Sequence, residues 1–396
     1  MDSRRSAKRD LPVLVHPTFA GWLFLGISAF VGVGAVKTQA ALTFVVFGAM
    51  LGAMCVSALI AWRMVSRATL ERDLPDRVWQ NQTAYLSYYL RNKRRRGSCL
   101  GLQVEELGLK NVDFAAGYCL HLESGSVFRA GARFAARRRG RTLLRRIRLS
   151  TTFPFGLVRA SRSFLRQAAV VVWPARGRLK RQLLHHGAAE TSSADPAPVQ
   201  GGQDEFFGLR DYRSGDNPRW IHWRRSAMRR KPVVREMSRP VPEILWVVLD
   251  THSPDLPGSA HGRRERMFRA AATIIDHAFS RGYKVGLAMA YQDRLAVHEP
   301  APGLGQRCKL LDALAEFTGN TGRELQETLG AVQHRSLRDA QVIVIARDQS
   351  QLSRMALGPM RLACRNLLVV QEGQLGSIFE DDPLAEKEQA HAAEKL

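Results

Sequence analysis

Cysteine is scarce in this sequence, and none of it is arranged for chemistry. The 396 residues hold Cys55, Cys99, Cys119, Cys308 and Cys364, with no CxxC pair and no cluster with histidine. That spacing excludes a disulfide framework and a structural zinc site, and it reads as reduced, buried thiols in a cytoplasmic protein. Acidic residues are also in short supply, 36 Asp and Glu against 59 Lys and Arg, for a net charge of +23. The shortage is local: residues 63–240 hold 36 Lys/Arg and only 14 Asp/Glu, while residues 1–62 stand at +3 and residues 241–396 at −2. No zinc-finger spacing and no ribonucleoprotein aromatic motif accompanies the basic stretch, which argues against nucleic acid as the partner. A basic face against an anionic inner leaflet is the economical reading, each Lys or Arg near the surface contributing about 1 kcal/mol. An acidic protein partner is the other.

Long apolar runs are present, by contrast, and both are near the N-terminus. Residues 17–36 and 40–62 carry no charged side chain, and each is about long enough to cross a ~30 Å hydrocarbon core as a helix. Only Lys37, Thr38 and Gln39 separate them, so the two spans must be antiparallel neighbours with both chain ends on one side. Arg4, Arg5, Lys8 and Arg9 precede the first span and Arg63, Arg67 and Arg72 follow the second, against Lys37 alone between them. The bias predicts an inner-membrane hairpin with residues 1–16 as a cytoplasmic tail and the soluble part in the cytoplasm. A cleaved signal peptide is disfavoured, because no small-residue cleavage site ends the apolar run.

Beyond the hairpin the patterning changes twice. Between residues 75 and 173 short alternating runs such as Ala84, Leu86, Tyr88 and Leu90, bounded by Gly or Pro, predict a small all-β, sandwich-like domain. Residues 185–206 are rich in small residues and predict a flexible linker. From 240 to 375 apolar strands alternate with helical spacing. "EILWVVLD" at 243–250 reads as a strand buried on both faces, followed by a helix carrying Met267, Ala271, Ile274, Ile275 and Ala278 and stopped by Gly282. The alternation predicts a doubly wound α/β domain, with an acidic tail over 376–396. Ligands of such sheets bind at the carboxyl ends of the strands, which singles out Asp250.

The segment 207–237 is neither core-like nor linker-like. Gly215-Asp216 reads as a turn, Asp216 or Asn217 as a helix cap and Pro218 as the first residue of a short helix, "PRWIHWRRSA". Trp220, Trp223 and Ala227 would share one face of it, predicted to bury against the α/β domain, while Arg210, Tyr212, Asp216 and Arg219 would form a polar cluster around the turn. The same residue types dominate binding hot spots, so Arg210, Tyr212, Asp216, Arg219, Trp220 and Trp223 are the candidate partner-binding residues. No catalytic residue is expected: His222 is the segment's lone histidine and Ser226 has no base beside it in sequence.

Phe207-Gly208-Leu209-Arg210, Tyr212, Gly215-Asp216, Arg219, Ile221, Trp223, Ser226-Ala227 and Val234-Arg235-Glu236 closely resemble the signature of the bacterial domain-of-unknown-function 58 family. Residues 138–157, RRGRTLLRRIRLSTTFPFGL, are similar to the strand and Phe-Pro-Phe-Gly-Leu turn that precede it there. The resemblance implies a membrane anchor, a C-terminal domain similar to von Willebrand factor type A domains and, as partner, a MoxR-type AAA+ ATPase. It implies no reaction. Type A domains often hold a divalent cation on an Asp-x-Ser-x-Ser motif with a distal Thr and Asp. Here the matching stretch is Asp250-Thr251-His252-Ser253-Pro254, and His252 and Pro254 are poor or absent ligands for a hard cation. Asp250 and Thr321 are therefore weak metal candidates, with Asp255 or Asp348 as substitutes, and neither metal nor cofactor is expected. The chain is expected to be a non-enzymatic, membrane-tethered scaffold. Its rivals are a metal-dependent enzyme at Asp250 and a lipid or nucleic-acid surface binder using the basic middle region.

Overall fold

The protein is described here as a computed structural model, over residues 9–94, 96–180, 184, 205–213, 218–238, 244–252, 259–291, 294–317, 325–333, 335, 337, 340–347 and 357–381. The chain opens with strand β1 (Arg9–Pro17), followed by helices α1 (Phe19–Thr38) and α2 (Ala41–Ser66). Both helices are long and apolar enough to cross a membrane. Only 17% of the most apolar window of α1 and 11% of that of α2 is buried, which separates them from the core helices of a soluble domain. Thr18 caps α1 by accepting a hydrogen bond from the Gly21 amide at 3.0 Å.

A β-sandwich follows. Its strands are β2 (Ala68–Asp73), β3 (Arg77–Trp79), β4 (Ala84–Asn92), β5 (Cys99–Leu107), β6 (Val112–Ala115), β7 (Gly117–Leu122), β8 (Val127–Ala136), β9 (Gly140–Thr151) and β10 (Val158–Trp173). One sheet runs β1-β10-β9-β5-β7, with β3 parallel to the far half of β10, and the other runs β2-β4-β8-β6. Leu86, Tyr88, Leu90, Leu102, Val104, Phe134, Ile147 and Phe164 fill the space between the sheets. Fully burying side chains of this kind contributes roughly 1.5–3 kcal/mol each. Inside this core Arg72 and Glu106 form an ion pair at 2.6 Å, both almost inaccessible, and the Tyr88 hydroxyl donates to the same Glu106 oxygen at 3.0 Å. Cys99 and Cys119 lie in the same core, where burial pushes both thiols up and makes them poor nucleophiles.

Residues 1–16 were expected to be a tail, yet β1 pairs antiparallel with β10 from Val13↔Arg162 to Pro17↔Val158. The segment before the first span is thus a strand of the sandwich. That pairing would be lost if the N-terminus were cleaved.

The second unit starts after β11 (Arg178–Leu179) and the antiparallel pair β12 (Glu205–Asp211) and β13 (Val233–Ser238), between which lies the short helix α3 (Trp223–Arg229). Of the expected linker, residues 205 and 206 already belong to β12, and 185–204 lie outside the described residues. Then come β14 (Ile244–Leu249), α4 (Ser259–Ser280), β15 (Lys284–Tyr291), β16 (Arg294–Ala301), α5 (Leu304–Glu316), α6 (Leu325–Gln333), β17 (Ala340–Ala346), α7 (Gly358–Ala363), β18 (Asn366–Gln371), α8 (Leu375–Ile378) and β19 (Phe379–Glu380). The sheet order is β16-β15-β14-β17-β18, parallel except for the antiparallel edge strand β16. Alternate residues of β14 serve two cores: Leu245, Val247 and Leu249 pack with α4 and α5, Trp246 and Val248 with α6 and α7. Gly282 closes α4 at φ 82°, a left-handed position that suits glycine. The expected acidic tail begins later than 376, because α8 and β19 are ordered and β19 pairs with β11.

The two units share one interface. Arg77 and the Trp173 indole both donate to Asp312, at 2.9 and 2.7 Å, and Trp79 meets Trp173 edge-on at 4.9 Å. Arg139 lies 3.8 Å above the Phe268 ring and pairs with Glu265 at 2.6 Å. Arg176 and Arg307 converge on Asp276. Some arginines of the basic middle region are therefore paired within the molecule, Arg139 almost out of solvent and Arg77 and Arg176 in part.

Candidate functional site

The segment singled out in the sequence folds as a β-hairpin. Arg210 pairs with Val234 and Asp211 with Val233 in the ladder, Tyr212 donates its amide to Pro232 at 2.9 Å, and Ile221 bridges to Val234. The connection carries a 3-10 turn, Pro218–Trp220, and then α3. The expected single helix from Pro218 is therefore broken in two, and its cap is His222, whose Nδ1 accepts from the Arg225 amide at 3.3 Å. Ser226 locks the helix to the ladder: its hydroxyl donates to the His222 carbonyl at 3.0 Å and accepts from the Val233 amide at 2.9 Å. These bonds engage both side chains with backbone groups.

The tryptophan face is not buried, and that corrects the expectation. No residue of α3 is buried; Trp223 is 70% exposed and Met228 77%. Trp220 is half-buried, while Tyr212, Arg219 and Ala227 are exposed. Asp216 lies outside the described residues, so the polar cluster expected around it has no described centre, and of Arg210 only the backbone is described. On α3, Trp223 and Ala227 form one stripe, Arg224 and Met228 the next. Arg225, Arg229, Arg230 and Lys231 are exposed around them. The arrangement presents apolar surface ringed by cations and can bind an apolar, acid-fringed partner surface.

The second candidate lies where β14 ends. Asp250 is 4% exposed, and its two carboxylate oxygens accept from the His252 amide at 3.0 Å and the Arg347 amide at 3.3 Å. Thr251 donates its hydroxyl to the Ala290 carbonyl at 2.8 Å, and the Arg347 guanidinium donates to the His252 carbonyl at 3.3 Å. Burial pushes the Asp250 carboxyl up from its ordinary value, opposed by the two amides and by the nearby His252 and Arg347. Thr321, Asp255 and Asp348 lie outside the described residues. Among the described residues no group of three or more His, Cys, Asp or Glu could hold a metal ion. What is seen is a carboxylate that shapes a loop, with a guanidinium alongside.

A third feature was invisible in the sequence. A groove of about 620 Å³ runs between residues 176–180 and the last turns of α4, lined by Arg176, Arg178, Lys180, Thr273, His277 and Arg281. Two of its three arginines are engaged, Arg176 with Asp276 and Arg281 with the Leu184 carbonyl.

Comparison with known proteins bears on the family alone. No curated protein matches the chain. Among solved structures, the CARDB domain of a Pyrococcus furiosus protein is 14% identical and covers 27% of this chain and 94% of its own, at a TM-score of 0.18, a similarity too slight to bear on the fold. Residues 208–367, from the hairpin through β17 into β18, match the family described as "Protein of unknown function DUF58". That match takes in most of the signature, the hairpin and the parallel sheet, and it supports the domain-of-unknown-function 58 assignment for this part of the chain.

Proposed function

We propose that this chain is a non-catalytic scaffold, tethered to the inner membrane by α1 and α2 with its folded body in the cytoplasm, that docks a protein partner through α3. One observation carries the reading: Trp223 and Met228 stand exposed beside a cluster of cations on a hairpin whose own hydrogen bonds are satisfied without them. Exposed Trp and Arg are the residue types that supply most binding energy at interfaces, and Met adapts to an apolar groove. A short helix with adjacent apolar and basic stripes suits insertion into such a groove. The α/β unit, which the family resemblance implies to be von Willebrand type A-like, would then act as a mount rather than a metal site. Family resemblance makes a MoxR-type AAA+ ATPase the first partner to look for.

The test is co-purification of the full-length chain from native membranes, comparing wild type with Trp223→Ala/Met228→Ala. The reading expects an AAA+ protein with the wild type and its loss from the variant at an unchanged unfolding temperature. Equal recovery from both would remove α3 as the docking element.

A further inference from the structure

The turn between β9 and β10 meets the first residues of α1. The Thr18 amide donates to the Leu157 carbonyl at 2.9 Å and the Thr18 hydroxyl to the Gly156 carbonyl at 2.6 Å. A Cβ on Gly21 would collide with the Leu157 oxygen, so only glycine admits this approach. Out of the same turn project Phe153 and Phe155, 37% and 61% exposed. The turn that carries them is bonded to the start of α1, where Phe19 and Trp22 are exposed, and Trp62 is exposed near the end of α2. Aromatic residues gather at that depth of a membrane, where an apolar ring meets the headgroups.

Charge is arranged to match. Helix α2 runs about six residues past the level at which α1 starts, or about 9 Å further into the cytoplasmic side at 1.5 Å per residue. The headgroup layer of one leaflet is roughly 5–7 Å thick. At the end of that overhang the Lys93 amide donates to the Arg67 carbonyl at 3.2 Å and the Cys99 thiol to the Met64 carbonyl at 3.5 Å, which fixes the β4–β5 loop beside it. The loop contributes Lys93, Arg94 and Arg96 to Arg63 and Arg67 of the helix end, and Glu123 is the carboxylate of the adjoining turn. The far end of β10, by contrast, is held in the interface with the α/β unit through Trp173 and Asp312.

We infer that this end of the sandwich is a second membrane contact: Phe153 and Phe155 insert at the boundary of headgroups and acyl chains, and Arg63, Arg67, Lys93, Arg94 and Arg96 bind anionic headgroups. The inference rests on the reading of α1 and α2 as spanning. It turns a flexible tether into a rigid mount, because the inserted turn is bonded to the helix that enters the bilayer, and it holds the α/β unit away from the surface by the length of β10. Sixteen strand residues extend about 50 Å at 3.3 Å each.

The test uses the full-length chain in phosphatidylglycerol-containing phosphatidylethanolamine vesicles, with exposed or half-exposed Cys55, Cys308 and Cys364 replaced by Ala and the buried cysteines left in place. A nitroxide is placed at Phe155→Cys, at Val33→Cys within α1, or at Leu143→Cys on the sandwich surface, and its collision rates with oxygen and with a water-soluble nickel complex are compared. The expected result is a several-fold higher oxygen-to-nickel ratio at 155 than at 143, and a higher one still at 33. Phe153→Cys reads the same surface should Phe155→Cys lower the unfolding temperature. If 155 behaves like 143 while 33 stays lipid-exposed, the inserted turn is overturned and the spanning reading stands; if 33 also behaves like 143, both fall. Exchanging phosphatidylglycerol for phosphatidylcholine should lower the ratio at 155, and Lys93→Gln/Arg96→Gln should abolish that difference. A ratio at 155 indifferent to lipid charge would overturn the headgroup contact.

Discussion

Arginine does opposite work in two parts of this molecule. At the junction between the sandwich and the α/β unit, Arg77, Arg139, Arg176 and Arg307 lie on carboxylates and aromatic rings. On α3, Arg224, Arg225 and Arg229 stand in solvent around an exposed tryptophan. Apart from Arg307, the sequence presents both as one basic region, yet the first set is held on carboxylates and rings and the second stands in solvent. Net charge counted along a chain describes neither steering nor docking until internal pairs are removed from the count.

That contrast can be broken by substitution, and the largest effect belongs to the sandwich interior. Arg72→Met leaves Glu106 buried without its cation, and removal of one partner of a buried pair costs about 3–5 kcal/mol. Denaturant unfolding of the purified chain should show this, and Arg72→Met/Glu106→Leu should recover much of the loss. Asp312→Ala strips the acceptor from the Trp173 indole, and a buried donor left unsatisfied costs about 1–3 kcal/mol. A drop within that range, accompanied by easier proteolysis between the two units, would place the junction among the paired arginines' tasks.

A smaller effect comes from pH. The folded-state carboxyl of Asp250 titrates above its ordinary value, so the folded chain holds this proton more tightly than the unfolded one. Its contribution is fully present below the unfolded value, about 3.9, and is lost as pH rises through the folded one. Asp250→Asn should therefore flatten the fall in stability over that window, as read by unfolding temperature against pH. Smallest of all is Trp223→Ala: a side chain 70% exposed should change stability by no more than about 0.5 kcal/mol. A larger loss would make α3 a packed element like the junction and erase the contrast.

Much of the architecture was legible because it rests on local pattern. The strand just before Asp250 could be read from its continuous apolar run, and α4 from its helical spacing and Gly282. What escaped was set by long-range pairing. β1 contains Pro12 and a charged start, and its partner β10 lies some 150 residues away, so nothing local marks it as a strand. β16 is an edge strand with no fully buried position and Pro300 near its end, so neither alternation nor an apolar run announces it. The placement of Trp220 and Trp223 illustrates a different limit. Helical spacing says which residues share a face, and the spacing was read correctly in part, but whether another element covers that face depends on tertiary packing. Covered or bare, the same pattern results.

The central claim is that α3 is the docking element, and site-specific photo-crosslinking in intact membranes tests it most directly. A photoreactive residue at Met228 should yield a discrete adduct with one partner protein, while the same residue at the exposed Tyr85 of the sandwich should not. No adduct from Met228, or the same adducts from both positions, would contradict the account.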